Sequence, residues 1–353
     1  MTASSTRPKL DSALLDSAYA TIRQGVESGA LPSGVLAIAT ADEVLRLEAF
    51  GPVATDSVFL IASITKPIFA TGVMRLVERG RILLNEPVAQ TLPDFGVNGK
   101  GDVRLWHLLT HTSGLNEGWV ELARGPERWE WSRWLARVCA APLSFPPGTR
   151  YMYCNSTFTC MAELVQRLTG QDYGEYLQRS VLEPLGMRDT AFVPAESQRL
   201  VPVLDPPWLD DDHRPRWIGM RNPAGGLWST AQDLIRFGQA FLRGGKLDGY
   251  QLLAPATLRV MTSLQTEGIA STTGAGEFQS YYGLGFSKAG RRGEPGPSAE
   301  LRTPAGFGHG GATGTYLWVE PDMGLLFVFL SNRWGQDETV MKRALNAALA
   351  AAS

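Results

Sequence analysis

Ser63-Ile64-Thr65-Lys66 is the one place in the chain where a serine stands three residues before any of the six lysines. On a helix, positions i and i+3 share a face, so the Ser63 hydroxyl and the Lys66 amine can come within hydrogen-bond reach. The chemistry this suggests is nucleophilic, because a serine hydroxyl attacks poorly until a base takes its proton, and a lysine is such a base only when neutral. The residues that follow, through Val73, Leu76, Val77 and a terminal Gly80, have the spacing and stop signal of one helix with Ser63 at its N-terminus. There the positive end of the helix dipole favours an alkoxide and disfavours an ammonium, and burial pushes a lysine the same way. Ser63, Lys66, Ala70, Val73 and Val77 fall on one stripe, which sets the pair against a core. An N-cap serine followed by a surface lysine would give the same local pattern, so other signals must decide.

The elements that could position such a pair are legible along the chain. Leu10 to Ser28 reads as an amphipathic helix, and Gly34 to Thr40 and Val44 to Phe50 flank a polar Ala41-Asp42-Glu43 turn, a hairpin signal. At the other end Thr315 to Val319 and Gly324 to Leu330 flank Glu320-Pro321-Asp322-Met323, and Glu338 to Ala351 closes the chain as a helix. Between about Arg104 and Arg243 helical patterns dominate, notably Ser156 to Leu168, Tyr173 to Leu182 and Thr230 to Leu242. The expected fold is of the α/β (α+β) class: one antiparallel sheet assembled from both chain ends and flanked by helices, with an inserted all-helical region. We expect one catalytic domain over 1–353, with a sheet part at about 1–62 and 244–353 and a mainly helical part at about 63–243. The site would lie where the two parts meet.

Composition narrows the function. The 353 residues, 44% of them hydrophobic, can bury a large core. A net charge of −2 argues against nucleic acid as a partner. The imbalance of arginine over lysine has no functional reading. Cys139, Cys154 and Cys160 have neither metal-ligand spacing nor the look of a disulfide framework, which fits a reducing compartment. The polar stretch from Met1 to Asp11 lacks an apolar leader, and no apolar run approaches the roughly 18 residues of a membrane span. We therefore expect a cytoplasmic protein with no membrane partner. His107 and His111, at i and i+4, have the spacing of metal ligands but no glutamate between them, and they read as structural histidines near the site. Asp210-Asp211-Asp212-His213 lies in a Pro-rich stretch and reads as a solvated loop.

Further motifs stand in a fixed order after Ser63: His107 to Leu115, then Pro147-Gly148-Thr149-Arg150-Tyr151-Met152-Tyr153-Cys154-Asn155, Pro184 to Met187, Ala224 to Ala231, and Gly308-His309-Gly310-Gly311-Ala312-Thr313-Gly314. This series resembles the serine beta-lactamase and penicillin-binding-protein superfamily, in its class C-like branch with D,D-peptidases and the esterases called family VIII. The likeness runs from about Leu10 to the C-terminal helix. It implies that Ser63 is the acylated nucleophile, Lys66 the lysine of S-x-x-K, Tyr153 and Asn155 the Y-x-N pair, and His309-Gly310-Gly311 the K-T-G strand motif. It also implies that the enzyme uses no metal or other cofactor. Tyr153, close to a cationic lysine, is expected to lose its proton more easily and relay protons to the leaving group. Whether Lys66 or Tyr153 is the acylation base stays open. Asn155 can hold Lys66 and a substrate carbonyl, and the backbone N–H groups of Ser63 and Ala312 would form the oxyanion hole. Taken without the others, Tyr153 could be a core tyrosine and Asn155 an N-cap for the helix beginning at Ser156.

The departures from the family pattern point to the substrate. The lysine of K-T-G, which helps hold a substrate carboxylate in penicillin-recognising members, is His309 here, and the threonine is Gly310, although peptidases with H-T-G exist in the family. A register that puts Ala312-Thr313-Gly314 on the motif keeps the threonine and still loses the lysine. A histidine is mostly neutral at pH 7 and glycine offers no hydroxyl. Carboxylate binding should weaken, and esters, which need less leaving-group assistance than amides, become the favoured small-molecule substrates. The alternatives are a beta-lactamase, a peptidase or an acyltransferase of the same fold, or less readily a non-catalytic binding protein. An unrelated serine-hydrolase fold is disfavoured because no G-x-S-x-G elbow is present. Trp119, Trp129, Trp131, Trp134, Trp208 and Trp217 are candidates to line an acyl or alcohol pocket, with packing as the alternative for most of them. The oligomeric state is not written in these residues.

Overall fold

The structure is a computed structural model that describes residues 10–120, 130–205, 209–210, 212–273, 276–290 and 300–352. Its main sheet has six antiparallel strands in the order Val44–Phe50, Gly34–Thr40, Leu325–Leu330, Thr315–Glu320, Phe307–Gly311, Ser287–Lys288. Both predicted hairpins are present, and the two chain ends meet at the pairing of Val35 with Leu330. The long apolar runs of Gly34–Thr40, Thr315–Glu320 and Leu325–Leu330 follow from burial on both faces. On one face Leu36, Ile38, Trp318, Phe327 and Phe329 pack with Tyr19 and Ile22 of helix Ser12–Glu27 and with Leu345 and Leu349 of helix Thr339–Ala351. On the other, Val35, Ala37, Leu317, Val328 and Leu330 join the core that contains Ile64, Ile68, Phe158 and Phe237. Helix Ala231–Leu242 lies on this second face, against Gly34–Thr40, Thr315–Glu320 and Leu325–Leu330.

The helix predicted after Ser63 runs from Thr65 to Glu78, preceded by a 3-10 turn, Ala62–Ile64, and stopped near Gly80, whose φ of +64° is the left-handed geometry of a helix end. Helices Ser156–Thr169 and Ala231–Leu242 lie where the sequence pattern puts them, while Tyr173 to Leu182 splits into an α-helix, Tyr173–Leu177, and a π-helical stretch, Gln178–Leu182. Two-residue strands, Phe59–Leu60 and Trp228–Ser229, pair with each other and tie the approach to Ser63 to the loop before helix Ala231–Leu242. Among the described residues no helix is long and apolar enough to cross a membrane, and no cluster of three His, Cys, Asp or Glu side chains could hold a metal ion. The three cysteines are free and buried.

Candidate active site

Ser63 is placed by its neighbours in sequence and by two distant loops. Ile61 N–H donates to Leu227 O at 3.0 Å, Thr315 Oγ1 donates to Ile61 O at 3.1 Å, and Thr313 Oγ1 donates to Leu60 O at 2.6 Å. Ala62, immediately before Ser63, is held at φ +43°, a left-handed conformation that a non-glycine residue adopts at a cost of about 1–3 kcal/mol. That geometry brings the end of strand Phe307–Gly311 very close: a Cβ on Gly311 would stand 2.4 Å from Ile61 O, so only glycine lets the two backbones approach this way. Ala312 is the next residue in that turn and lies beside the Ser63 approach.

Around the Ser63 hydroxyl the expected constellation assembles. Lys66 Nζ is 3.0 Å from Ser63 Oγ, 2.8 Å from Asn155 Oδ1 and 2.8 Å from Ala224 O. Tyr153 OH is 2.9 Å from Ser63 Oγ. Lys66 is wholly buried, and burial drives its pKa from 10.5 down to about 7, with Glu117 opposing that fall. A shift of this size corresponds to about 5 kcal/mol against the ammonium form. The Ser63 dyad therefore carries a lysine that is about half neutral near pH 7.

Tyr153 behaves differently from the expectation of an acidified phenol. Although the residue is 39% exposed, its hydroxyl is turned onto Ser63; burial pushes its pKa well up and Glu117 adds to the push, while the hydrogen bond to Ser63 only partly offsets them. The sequence could show a lysine nearby but not the desolvation, which is the largest influence on the phenol. Lys66 does reach the ring of Tyr153, with Nζ 4.7 Å from its centroid. Asn155 is not the side-chain cap of the helix it precedes, because its amide oxygen is on Lys66 instead.

His309 sits on the site side of its strand, its ring centroid 6.1 Å from that of Tyr153. Its Nδ1 lies 2.7 Å from Gly310 O, which can only accept, so Nδ1 carries the hydrogen and Nε2 accepts from Tyr282 OH at 3.0 Å. Burial first, and Lys66 second, push its pKa down to about 3, so the ring is neutral and supplies no cation. Gly310 points its missing side chain the other way, toward Tyr316 and Glu338. The alternative register falls in a turn: Thr313 is buried and its hydroxyl is spent on Leu60 O.

His107 and His111 do not share a helical face, since helix Leu105–Leu109 ends between them and His111 adopts φ +57°. His107 Nδ1 accepts from Arg104 N–H, whereas His111 clamps the Tyr153 segment. Its carbonyl accepts from Met152 N–H at 2.9 Å, its Nδ1 accepts from Cys154 N–H at 3.2 Å, and its ring packs tilted against that of Tyr153, centroids 4.5 Å apart. Trp131 packs against Tyr173, Trp134 Nε1 donates to Thr159 Oγ1 at 3.0 Å, and Trp217 belongs to a small cluster with Val58, Leu60 and Trp228. These three are packing residues. Trp129, Trp208 and Asp211 lie outside the described residues, as does the side chain of Trp119. His213 pairs with Asp210 at 2.6 Å on an exposed loop. Sequence reasoning missed the Ala224 carbonyl, Tyr282 and Glu117. A carbonyl has no side-chain signature, and the other two act across the fold.

A family model described as Beta-lactamase matches residues 19–352. The chain belongs to the beta-lactamase family. Among relatives of this family member, Esterase EstB from Burkholderia gladioli is 35% identical over 234 residues, covering 58% of this chain and 59% of its own. Penicillin-binding protein 4 from Amycolatopsis lactamdurans is 30% identical over 294 residues, covering 79% and 73%. The crystal structure of a penicillin-binding protein homolog from Caulobacter crescentus superposes with a TM-score of 0.82 at 23% identity, covering 96% of this chain and 97% of that one. This last likeness speaks for the fold.

Proposed function

We propose that this beta-lactamase family member is a serine hydrolase that cleaves neutral carboxylic esters through an acyl-Ser63 intermediate. The observation that carries the reading is the hydrogen bonding of Lys66. Two carbonyl oxygens, Asn155 Oδ1 and Ala224 O, can only accept, so they fix two N–H bonds of the amine and leave its third direction aimed at Ser63 Oγ. When Lys66 is neutral that direction holds the lone pair, and the amine is a base already aligned on the nucleophile's proton.

In acylation, Ser63 Oγ bonds to the ester carbonyl carbon as its proton passes to Lys66 Nζ. The carbonyl oxygen takes up the negative charge and is held by the N–H groups of Ser63 and Ala312. Collapse breaks the bond to the alcohol, which receives the proton from Lys66 through the Tyr153 hydroxyl. Tyr153 is suited to this relay as a phenol that keeps its own proton. Water then repeats the cycle with Lys66 as base and releases the acid. Asn155 orients Lys66, and the His309-Gly310-Gly311 strand borders the substrate. Because His309 is neutral and tied to Tyr282, it offers nothing to pair with a carboxylate, which favours an uncharged ester over a penicillin-like or D-alanyl substrate. The relative EstB is named an esterase, and the better leaving group of an ester points the same way. We read the whole chain as one catalytic domain, and its buried free cysteines fit a reducing, cytoplasmic setting.

The test is hydrolysis of p-nitrophenyl butyrate beside nitrocefin. Ester turnover should dominate, vanish in Ser63→Ala, and fall by orders of magnitude in Lys66→Ala and Tyr153→Phe with the fold intact. A near-normal rate in any one of these variants removes that residue from the mechanism. A reversed substrate preference would make the protein a beta-lactamase.

A further inference from the structure

Glu117 lies outside every motif that defines the site, yet its carboxylate is fastened to the segment that carries Asn155. Oε2 accepts from Ser156 N–H at 3.1 Å and stands 3.1 Å from Cys154 Sγ, and Oε1 accepts from Ser156 Oγ at 3.1 Å. Ser156 opens helix Ser156–Thr169, whose first N–H groups need an acceptor. Asparagine at the preceding position usually supplies that acceptor from its own side chain. Here Asn155 has helical backbone angles, makes no cap, and gives its oxygen to Lys66. A residue from 39 positions earlier does the capping, which leaves Asn155 free for the lysine.

The same carboxylate is the anion that Lys66 feels. The titratable groups facing Lys66 are Tyr153 and Cys154 from the segment before the helix, His111 from the turn after helix Leu105–Leu109, His309 from strand Phe307–Gly311, and Glu117 itself. Burial keeps the phenol and the thiol protonated and both imidazoles neutral. Among the described residues this leaves Glu117 to oppose the cost of burying a charge at Lys66.

We propose that Glu117 is a positioning residue for the Ser63 machinery: it caps the helix in place of Asn155 and supports the Lys66 ammonium that forms as Ser63 is acylated. The inference rests on the serine-hydrolase reading above. Its test therefore uses acylation alone: the rate at which a fluorophosphonate labels Ser63, followed by mass spectrometry from pH 5 to 9. Glu117→Gln keeps an oxygen for Ser156 and removes the charge. Its labelling midpoint should move about one unit to lower pH, from about 7, so that labelling at pH 5.5, relative to the plateau, rises by about eightfold. An unmoved midpoint overturns the electrostatic role. Glu117→Asp keeps the charge but withdraws it from Ser156. It should retain the wild-type midpoint with a plateau rate lower by severalfold, and a wild-type plateau overturns the capping role. A wild type whose Ser63 does not label at all overturns the hydrolase reading, and this inference with it.

Discussion

The pH dependence of ester hydrolysis tests the central assignment, that Lys66 is the base. The perturbation is protonation of one buried amine. With its pKa at about 7, Lys66 is about nine-tenths neutral at pH 8 and about one-hundredth neutral at pH 5, so kcat/KM should fall about 90-fold between them. The sign follows from the role: the neutral amine accepts the Ser63 proton, so activity is present above the midpoint and lost as pH falls through it. At the ordinary lysine value of 10.5, only about 0.03% of the amine would be neutral at pH 7. The burial of Lys66 thus raises the amount of competent base at that pH by about three orders of magnitude. The assay is the initial rate on p-nitrophenyl butyrate below saturation, from pH 5 to 10.5, with Ser63→Ala subtracted at each point. Two outcomes would refute the reasoning. A rate that keeps climbing above pH 9 would assign the base to a group with a raised pKa, such as Tyr153. A flat profile would mean that no titrating base activates Ser63.

Two substitutions probe the strand beside the site. His309→Lys places an ammonium where the neutral imidazole now bonds Tyr282, and should raise kcat/KM for nitrocefin by about tenfold, the worth of one charge-assisted hydrogen bond. No gain would mean that the shape of the pocket, and not this position, excludes carboxylates. Gly311→Ala puts a Cβ 2.4 Å from Ile61 O and 2.1 Å from Thr315 Oγ1, so the turn carrying Ala312 must move away from Ser63. Loss of one oxyanion donor should lower kcat on the order of 100-fold with the fold retained, and a wild-type kcat would remove Ala312 from the oxyanion hole.

The elements that were legible in the sequence are those whose signal is local. The hairpin Gly34–Thr40 and Val44–Phe50 lies where the polar turn put it, and helices Ser156–Thr169 and Ala231–Leu242 follow their apolar spacing. That one sheet draws on both chain ends could be expected, but the insertion of Leu325–Leu330 between Gly34–Thr40 and Thr315–Glu320 could not, because both neighbours offer the same two-sided apolar surface. The two-residue strands Phe59–Leu60 and Trp228–Ser229 have too few residues for any periodicity, yet they fix the approach to Ser63.

For the site, the sequence by itself determined which side chains could react. A serine three residues before a lysine is a contact made within one turn, so its chemistry is written in the spacing. The order of the later motifs named Tyr153, Asn155 and His309 through resemblance to a family. The tertiary structure decided what those groups are at neutral pH. Lys66 is half neutral, His309 carries no charge and Tyr153 holds its proton, in each case chiefly because burial disfavours the charged form. It also decided who holds them, through the Ala224 carbonyl, the His111 clamp and the Glu117 cap. Desolvation and backbone acceptors arise only when distant segments close around one another, and neither leaves a mark on the order of the residues.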